Sequence, residues 1–199
     1  LSPDTKGSLY LHIPFCRSMC WYCGCHTTVA LRDPPIGAYL EVLRQEIEAV
    51  AARLTTPLDV RHVHFGGGTP TILAPADFVA LVALLRDRFA LHRDAEIAVE
   101  IDPRHLAPAM IEALREAGVN RASLGVQSFD PEVQRAINRV QGAGQTAAVI
   151  TQLREAGIGG INLDLIYGLP RQSTASCIET VNQCLAMEPD RFSIFGYAH

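Results

Sequence analysis

Six short β-branched or aromatic runs alternate with longer segments of helical periodicity, and this alternation restricts the possible folds of the chain more than any other feature. The runs occupy residues 9–14, 61–66, 96–102, 121–127, 160–166 and 191–197. Between them Leu40, Leu43, Ile47, Val50, Ala51 and Leu54 recur at helical spacing, as do Phe78, Leu81, Val82 and Leu85. Pro75 and Pro108 stand where a first helical turn tolerates proline, and Gly118 and Gly157 where a helix stops. The segment Leu-Arg-Glu-Ala-Gly occurs at 114–118 and again at 153–157, each time leading into a strand, a weak internal repeat of one helix–loop–strand unit. Strand, helix, strand without hairpin signals predicts parallel strands joined by right-handed crossovers.

An open doubly wound sheet and a closed or partial barrel both satisfy that order, and the period-two pattern separates them. One face of the strands carries Leu9, Leu11 and Ile13, Val63 and Phe65, Ile97, Val99 and Ile101, Leu124 and Val126, and Ile161, Leu163 and Leu165. The other carries Tyr10 and His12, His62 and His64, Glu100 and Asp102, Ser123, Gly125 and Gln127, and Asn162 and Asp164. A doubly wound sheet buries both faces under apolar helices, so a polar second face argues for a barrel interior that holds a polar ligand. The expected fold is an α/β partial (β/α)6 barrel of the TIM-like type, cut after strand six. Its reactive end is the C-terminal edge of the strands, where the loops gather.

A chain of 199 residues with 48% hydrophobic and 19% charged residues fits one well-buried domain and excludes intrinsic disorder. No apolar run is long enough to span a bilayer. A net charge of −4 offers no basic surface for a nucleic-acid backbone. Four of the six cysteines, Cys16, Cys20, Cys23 and Cys25, fall within ten residues, whereas a secreted disulfide scaffold spreads its cysteines out. With no signal-peptide pattern at the start, a reduced cytoplasmic protein with a metal site is expected. The chain begins with Leu rather than Met, which suggests excision from something longer.

Cys16-x3-Cys20-x2-Cys23 gathers three thiolates on one loop. An iron–sulfur cube held by three protein thiolates keeps one iron open to an outside ligand. Zinc is the competing reading, because four cysteines can close a tetrahedral site. Zinc sites usually pair ligands from two elements, and four from one ten-residue loop are crowded, so the spacing favours the iron–sulfur cluster.

The run Tyr10-Leu-His-Ile-Pro-Phe-Cys16-x3-Cys20-x-Tyr22-Cys23-x-Cys25 resembles the radical S-adenosylmethionine signature, and in particular the oxygen-independent coproporphyrinogen III oxidase branch. The likeness continues through His64-Phe-Gly-Gly-Gly-Thr-Pro-Thr71, Val99-Glu-Ile-Asp-Pro103, Gly125-Val-Gln-Ser-Phe129, Ile137-Asn-Arg139, Asp164-Leu-Ile-Tyr-Gly-Leu-Pro170 and Phe195-Gly-Tyr-Ala-His199. Cys25 and the Asn138-Arg139 pair favour the oxidase over its haem-chaperone relative. The resemblance implies a [4Fe-4S] cluster on Cys16, Cys20 and Cys23 with its fourth iron open, and two S-adenosylmethionine molecules. One is cleaved to a 5′-deoxyadenosyl radical that starts oxidative decarboxylation of two propionates of coproporphyrinogen III, giving protoporphyrinogen IX. It also implies a reduced flavodoxin- or ferredoxin-like electron donor, and a monomer is expected. Residues 1–199 then form the core domain, with an N-terminal extension and a C-terminal domain expected beyond it. A haem-binding chaperone and a zinc-stabilised interaction domain are the alternatives.

Position by position, the resemblance assigns Tyr10, Gly67, Gly68, Thr69 and Glu100 to the first cofactor, Glu100 through its ribose hydroxyls. Tyr22, Gln127, Arg139, Asp164 and Ala198 match positions around the second. Tyr10 is otherwise an aromatic plug, Arg139 a solvated charge, and three successive glycines a turn. Asp164, in an apolar strand, demands partners on any reading. His12, on the face of Tyr10, either manages a proton or is a hydrogen-bonded structural histidine. Cys25 is not counted as a ligand, because a fourth thiolate closes the open iron. His62 and His64 are read as filling the far interior, and Cys177 and Cys184 as small buried hydrophobes.

Overall fold

A computed structural model describes residues 5–198. Its sheet contains β1 (Lys6–Ile13), β4 (Asp59–Gly67), β5 (Ala90–Ile101), β6 (Arg121–Gln127), β7 (Gly160–Tyr167) and β8 (Arg191–Gly196) in that spatial order, each pair parallel. The order never reverses, so the sheet curls into a half-barrel instead of opening into a doubly wound sheet. Two short strands, β2 (Phe15–Cys16) and β3 (Thr28–Val29), pair separately and brace the cysteine loop.

Helices α1 (Pro34–Ala51), α2 (Pro75–Arg88), α3 (Pro108–Glu116), α5 (Ala143–Glu155) and α6 (Thr174–Leu185) fill the crossovers, and a short α4 (Pro131–Ala136) follows β6. The expected apolar face of the sheet is the core. Ile13, Phe65, Val99, Leu124, Ile161 and Leu163 are sealed there against helix residues such as Leu40, Phe78, Leu81, Leu114 and Leu153. Phe65 and Phe78 meet at 4.8 Å between ring centroids. Each buried side chain of this size contributes roughly 1.5–3 kcal/mol relative to exposure.

Some details differ from the sequence reading. The helix through Leu40 stops at Ala51, short of Leu54, and Val50 is exposed. Strand β5 starts at Ala90 rather than Glu96, because Ala90 and Leu91 pair with Asp59 and Val60 before an irregularity in register. Cys184 is sealed in the core as expected, but Cys177 is only half-buried. His199, the last residue of the final motif, lies outside the described residues.

Candidate active site

The polar ends of the strands and the cysteine loop enclose a cavity of about 360 Å³ at the C-terminal edge of the sheet. That volume lies within the roughly 300–1,000 Å³ of small-molecule sites. Eleven of the expected site residues line it. Cys16, Cys20, Tyr22 and Cys23 come from the loop after β1, Gly67, Gly68 and Thr69 from the end of β4, Glu100 from β5, Gln127 from β6, Arg139 from the turn after α4, and Asp164 from β7. Tyr10, His12 and Ala198 are not among the lining residues.

The cysteine loop is held from two sides. Asn138 donates from Nδ2 to the Met19 carbonyl at 2.7 Å, and Trp21 N–H donates to the Ile137 carbonyl at 2.9 Å. The Asn138-Arg139 pair is thus an anchor for the loop as well as a signature. Thr69 and Thr27 aim their hydroxyls at the Cys16 sulfur, at 3.4 and 3.5 Å. Arg104 and Arg139 each bring a guanidinium nitrogen to 3.6 Å from the Cys20 sulfur. All six cysteines are free. Among the described residues, no three His, Cys, Asp or Glu side chains group around a single metal ion.

The glycine run answers first to packing. Gly67 has φ +107°, a left-handed value natural only to glycine, and its N–H donates to Glu100 Oε2 at 3.2 Å. A Cβ on Gly68 would stand 2.5 Å from the Phe15 carbonyl oxygen, because the backbones of β2 and this loop bond at that point. Close approach of two backbones therefore explains Gly68 without a ligand, while the opposite side of the loop faces the cavity.

Glu100 is only half-buried, and both of its oxygens have partners. His64 Nε2 donates to Oε1 at 3.0 Å while Gly67 holds the other oxygen, so His64 is a partner of the site rather than interior filling. The His64 ring also stacks on Tyr10, with centroids 5.7 Å apart and planes 14° apart. Tyr10 is 59% exposed and donates its hydroxyl to His12 Nδ1 at 3.1 Å, while His12 Nε2 donates to the His26 carbonyl at 2.8 Å. Both nitrogens of His12 are thereby committed and its tautomer is set.

Asp164 accepts from Ser123 Oγ at 3.0 Å and from Asn162 Nδ2 at 2.7 Å. Even so, burial and the nearby Glu100 carboxylate hold its carboxyl above the ordinary value. Gln127 sits at φ +68° where the β6–β7 register shifts, a bulge that turns its side chain into the cavity. Among the described residues, Gln127 Oε1 and Arg139 Nε are buried with no hydrogen-bond partner. Unmet groups of this kind are costly in a finished core and fit a site awaiting a polar ligand.

Sequence reasoning quoted Asp102 without giving it a role and missed Arg104. Arg104 grips the Asp102 carboxylate at 2.6 and 2.9 Å, and Arg139 lies 3.4 Å from it. Burial pushes the Asp102 carboxyl up, but the two guanidinium groups outweigh it and hold the acid below its ordinary value. The Asp-Pro-Arg spacing at the end of β5 was the available signal. Arg139 is buried rather than solvated.

Residues 10–184 match the model of the radical SAM superfamily. The chain is 61% identical, over all 199 residues, to the oxygen-independent coproporphyrinogen III oxidase of Bradyrhizobium diazoefficiens, of which it covers 44%. It is similar to the solved structure of coproporphyrinogen III oxidase from Escherichia coli, described as a radical SAM enzyme. The TM-score is 0.92 and the identity 43%, with 98% of this chain and 44% of that one covered. A radical S-adenosylmethionine methyltransferase from Kitasatospora setae, at TM-score 0.65 and 17% identity over 96% of this chain and 35% of that one, shares the fold alone. The chain thus spans less than half the length of the named oxidases it matches, such as those of Bradyrhizobium diazoefficiens, Paracoccus denitrificans and Escherichia coli. Neither the chaperone nor the zinc alternative is supported by these matches.

Proposed function

The chain belongs to the radical SAM superfamily, and from that premise we propose that it is the cofactor-binding core of an oxygen-independent coproporphyrinogen III oxidase of haem biosynthesis. The observation that carries this is the convergence of three cysteines of one loop, two buried-edge carboxylates and two unmet polar atoms on a single cavity. The matches to named oxidases over essentially the whole chain support the choice of branch.

A [4Fe-4S] cluster bound here supplies the electron that cleaves S-adenosylmethionine to a 5′-deoxyadenosyl radical, which starts decarboxylation of two propionates of coproporphyrinogen III. The residues of the chain do the holding. Cys16, Cys20 and Cys23 offer the thiolates, and Cys25 stays out of the ligand set. Gly67, Gly68 and Thr69 present backbone to the first S-adenosylmethionine. Glu100, oriented by His64 and by Gly67 N–H, offers its remaining lone pairs to two adjacent hydroxyls. Tyr22, Gln127, Arg139, Asp164 and Ala198 serve a second S-adenosylmethionine, with Arg139 Nε and Gln127 Oε1 as its free donor and acceptor. Tyr10 and His12 act from just outside the cavity, where the hydroxyl of Tyr10 is held by His12 Nδ1.

A low-potential electron donor of the flavodoxin or ferredoxin kind, a monomer and a cytoplasmic setting complete the proposal. Six free cysteines fit a reducing compartment. Among the described residues, no helix is long and apolar enough to cross a membrane. The test is an anaerobic assay of the reduced, full-length protein with coproporphyrinogen III, following CO2 and 5′-deoxyadenosine. Release of both is expected. Tight haem binding without decarboxylation would move the chain to the chaperone branch.

A further inference from the structure

We propose that Arg104, clamped by Asp102, is a positioning residue for the cluster, delivering a hydrogen bond and a positive charge to the Cys20 sulfur; this rests on the proposed function above. Asp102 directly follows the last residue of β5, and Arg104 comes two residues later. The backbone N–H of Arg104 donates to Asp102 Oδ1 at 3.1 Å, its Nε to the same oxygen at 2.9 Å, and its Nη2 to Oδ2 at 2.6 Å. A guanidinium held by two of its nitrogens, on a residue whose backbone N–H is tied to the same carboxylate, has little freedom left, and the same Nη2 lies 3.6 Å from Cys20 Sγ, an ordinary N–H···S distance given the size of sulfur.

Charge makes the arrangement directional. The side chains of Asp102, Arg104 and Arg139 are 11%, 12% and 7% exposed, so none is well solvated. Two guanidinium groups face one carboxylate, which among the described residues leaves one positive charge without a second acid to pair it. Buried charge of that kind is costly unless something neutralises it. The atom both guanidinium groups share, apart from Asp102, is the Cys20 sulfur. The other cysteine with side-chain hydrogen bonds to its sulfur from outside the loop's own cysteines, Cys16, receives only neutral hydroxyls. The cluster thus meets its strongest donors at the Cys20 corner.

Donors to cluster sulfur favour the reduced level, because reduction adds negative charge that they offset. One electron enters the cluster from the low-potential donor, and no bond to Cys20 forms or breaks. Arg104 acts on that equilibrium through the thiolate, while Asp102 keeps the guanidinium aimed.

The test compares wild type with Arg104→Leu, Arg104→Lys and the double variant Asp102→Asn/Arg104→Leu after anaerobic reconstitution with iron and sulfide. It measures iron and sulfide per chain and the cluster midpoint potential by a redox titration followed by electron paramagnetic resonance. Arg104→Leu is expected to shift the potential to more negative values, and Arg104→Lys to recover part of the shift, since it keeps charge but loses the fork. Arg104→Leu still leaves Asp102 paired with Arg139, whereas the double variant leaves the Arg139 charge beside Cys20 without its carboxylate, so the shift of the double variant is expected to be smaller than that of Arg104→Leu. Variants that hold a cluster at the wild-type potential overturn the inference alone. A wild-type chain that assembles no cluster overturns the proposed function together with it.

Discussion

At Asp164 two demands on one side chain pull apart. Three polar neighbours, Ser123, Asn162 and Ser193, stabilise the charged form, yet burial and Glu100 outweigh them and raise the carboxyl above its ordinary value of 3.8. Below pH 3.8 both folded and unfolded chains carry the proton and the site contributes nothing. As pH rises through 3.8 the unfolded chain releases its proton first, so stability falls until the folded carboxyl also ionises, and the loss then persists at neutral pH. Asp164→Asn is therefore expected to melt higher than wild type at pH 7 without cofactor, with the difference vanishing in acid. A lower melting temperature at pH 7 would show that the hydrogen bonds dominate. At the glycine loop, Gly68→Ala places a Cβ against the Phe15 backbone, and urea unfolding should show a loss of about 1–3 kcal/mol. Glu100 and Asp164 were legible in the sequence because a carboxylate on a strand needs a reason. His64 and Arg104 were not, since alternation says which way a side chain faces and leaves open what it touches.

Among the elements, the repeated Leu-Arg-Glu-Ala-Gly turned out to encode a helix ending twice over. After α3, Val119 N–H bonds to the Leu114 carbonyl, and after α5, Ile158 N–H bonds to the Leu153 carbonyl, with Gly118 at φ +78° and Gly157 at φ +86°. Both are the six-to-one bond that closes a helix through a left-handed glycine. No heavy atom lies within 4 Å of a Cβ built on Gly157, so Gly157→Ala isolates the backbone term. Its expected cost is about 1–2 kcal/mol in chemical denaturation; an unchanged midpoint would mean that the turn relaxes freely. Strands β6 and β7 were legible nearly to the residue because their alternation is clean. The first half of β5 was hidden, since His92, Arg93 and Asp94 read as a loop. The two-residue strands β2 and β3 are too short to carry any period.

At the scale of the whole sheet, no strand of the described residues pairs with the outer edge of β8. On the helix-facing side of β8, Ile194 is exposed beside buried Leu165, with no helix of the described residues laid over it. An exposed apolar edge strand is a template for association. The 199-residue chain is expected to associate as its concentration rises, and Ile194→Lys to suppress this in light scattering; equal scattering by both would place the contact elsewhere. The half-barrel itself was legible because the two faces of the strands differ in polarity. What the sequence could not convey was the way the cysteine loop is tied to distant segments, through Asn138, Thr69, Arg104 and Arg139.

The central claim is that Cys16, Cys20 and Cys23 hold a cluster whose open iron takes S-adenosylmethionine. Its most direct test is iron and acid-labile sulfide per chain after anaerobic reconstitution, measured in wild type and in each cysteine-to-alanine variant of the loop. A full [4Fe-4S] complement is expected in wild type and Cys25→Ala, with loss in Cys16→Ala, Cys20→Ala and Cys23→Ala. Equal loss in all four variants, or zinc in place of a cluster in the wild type, would contradict it.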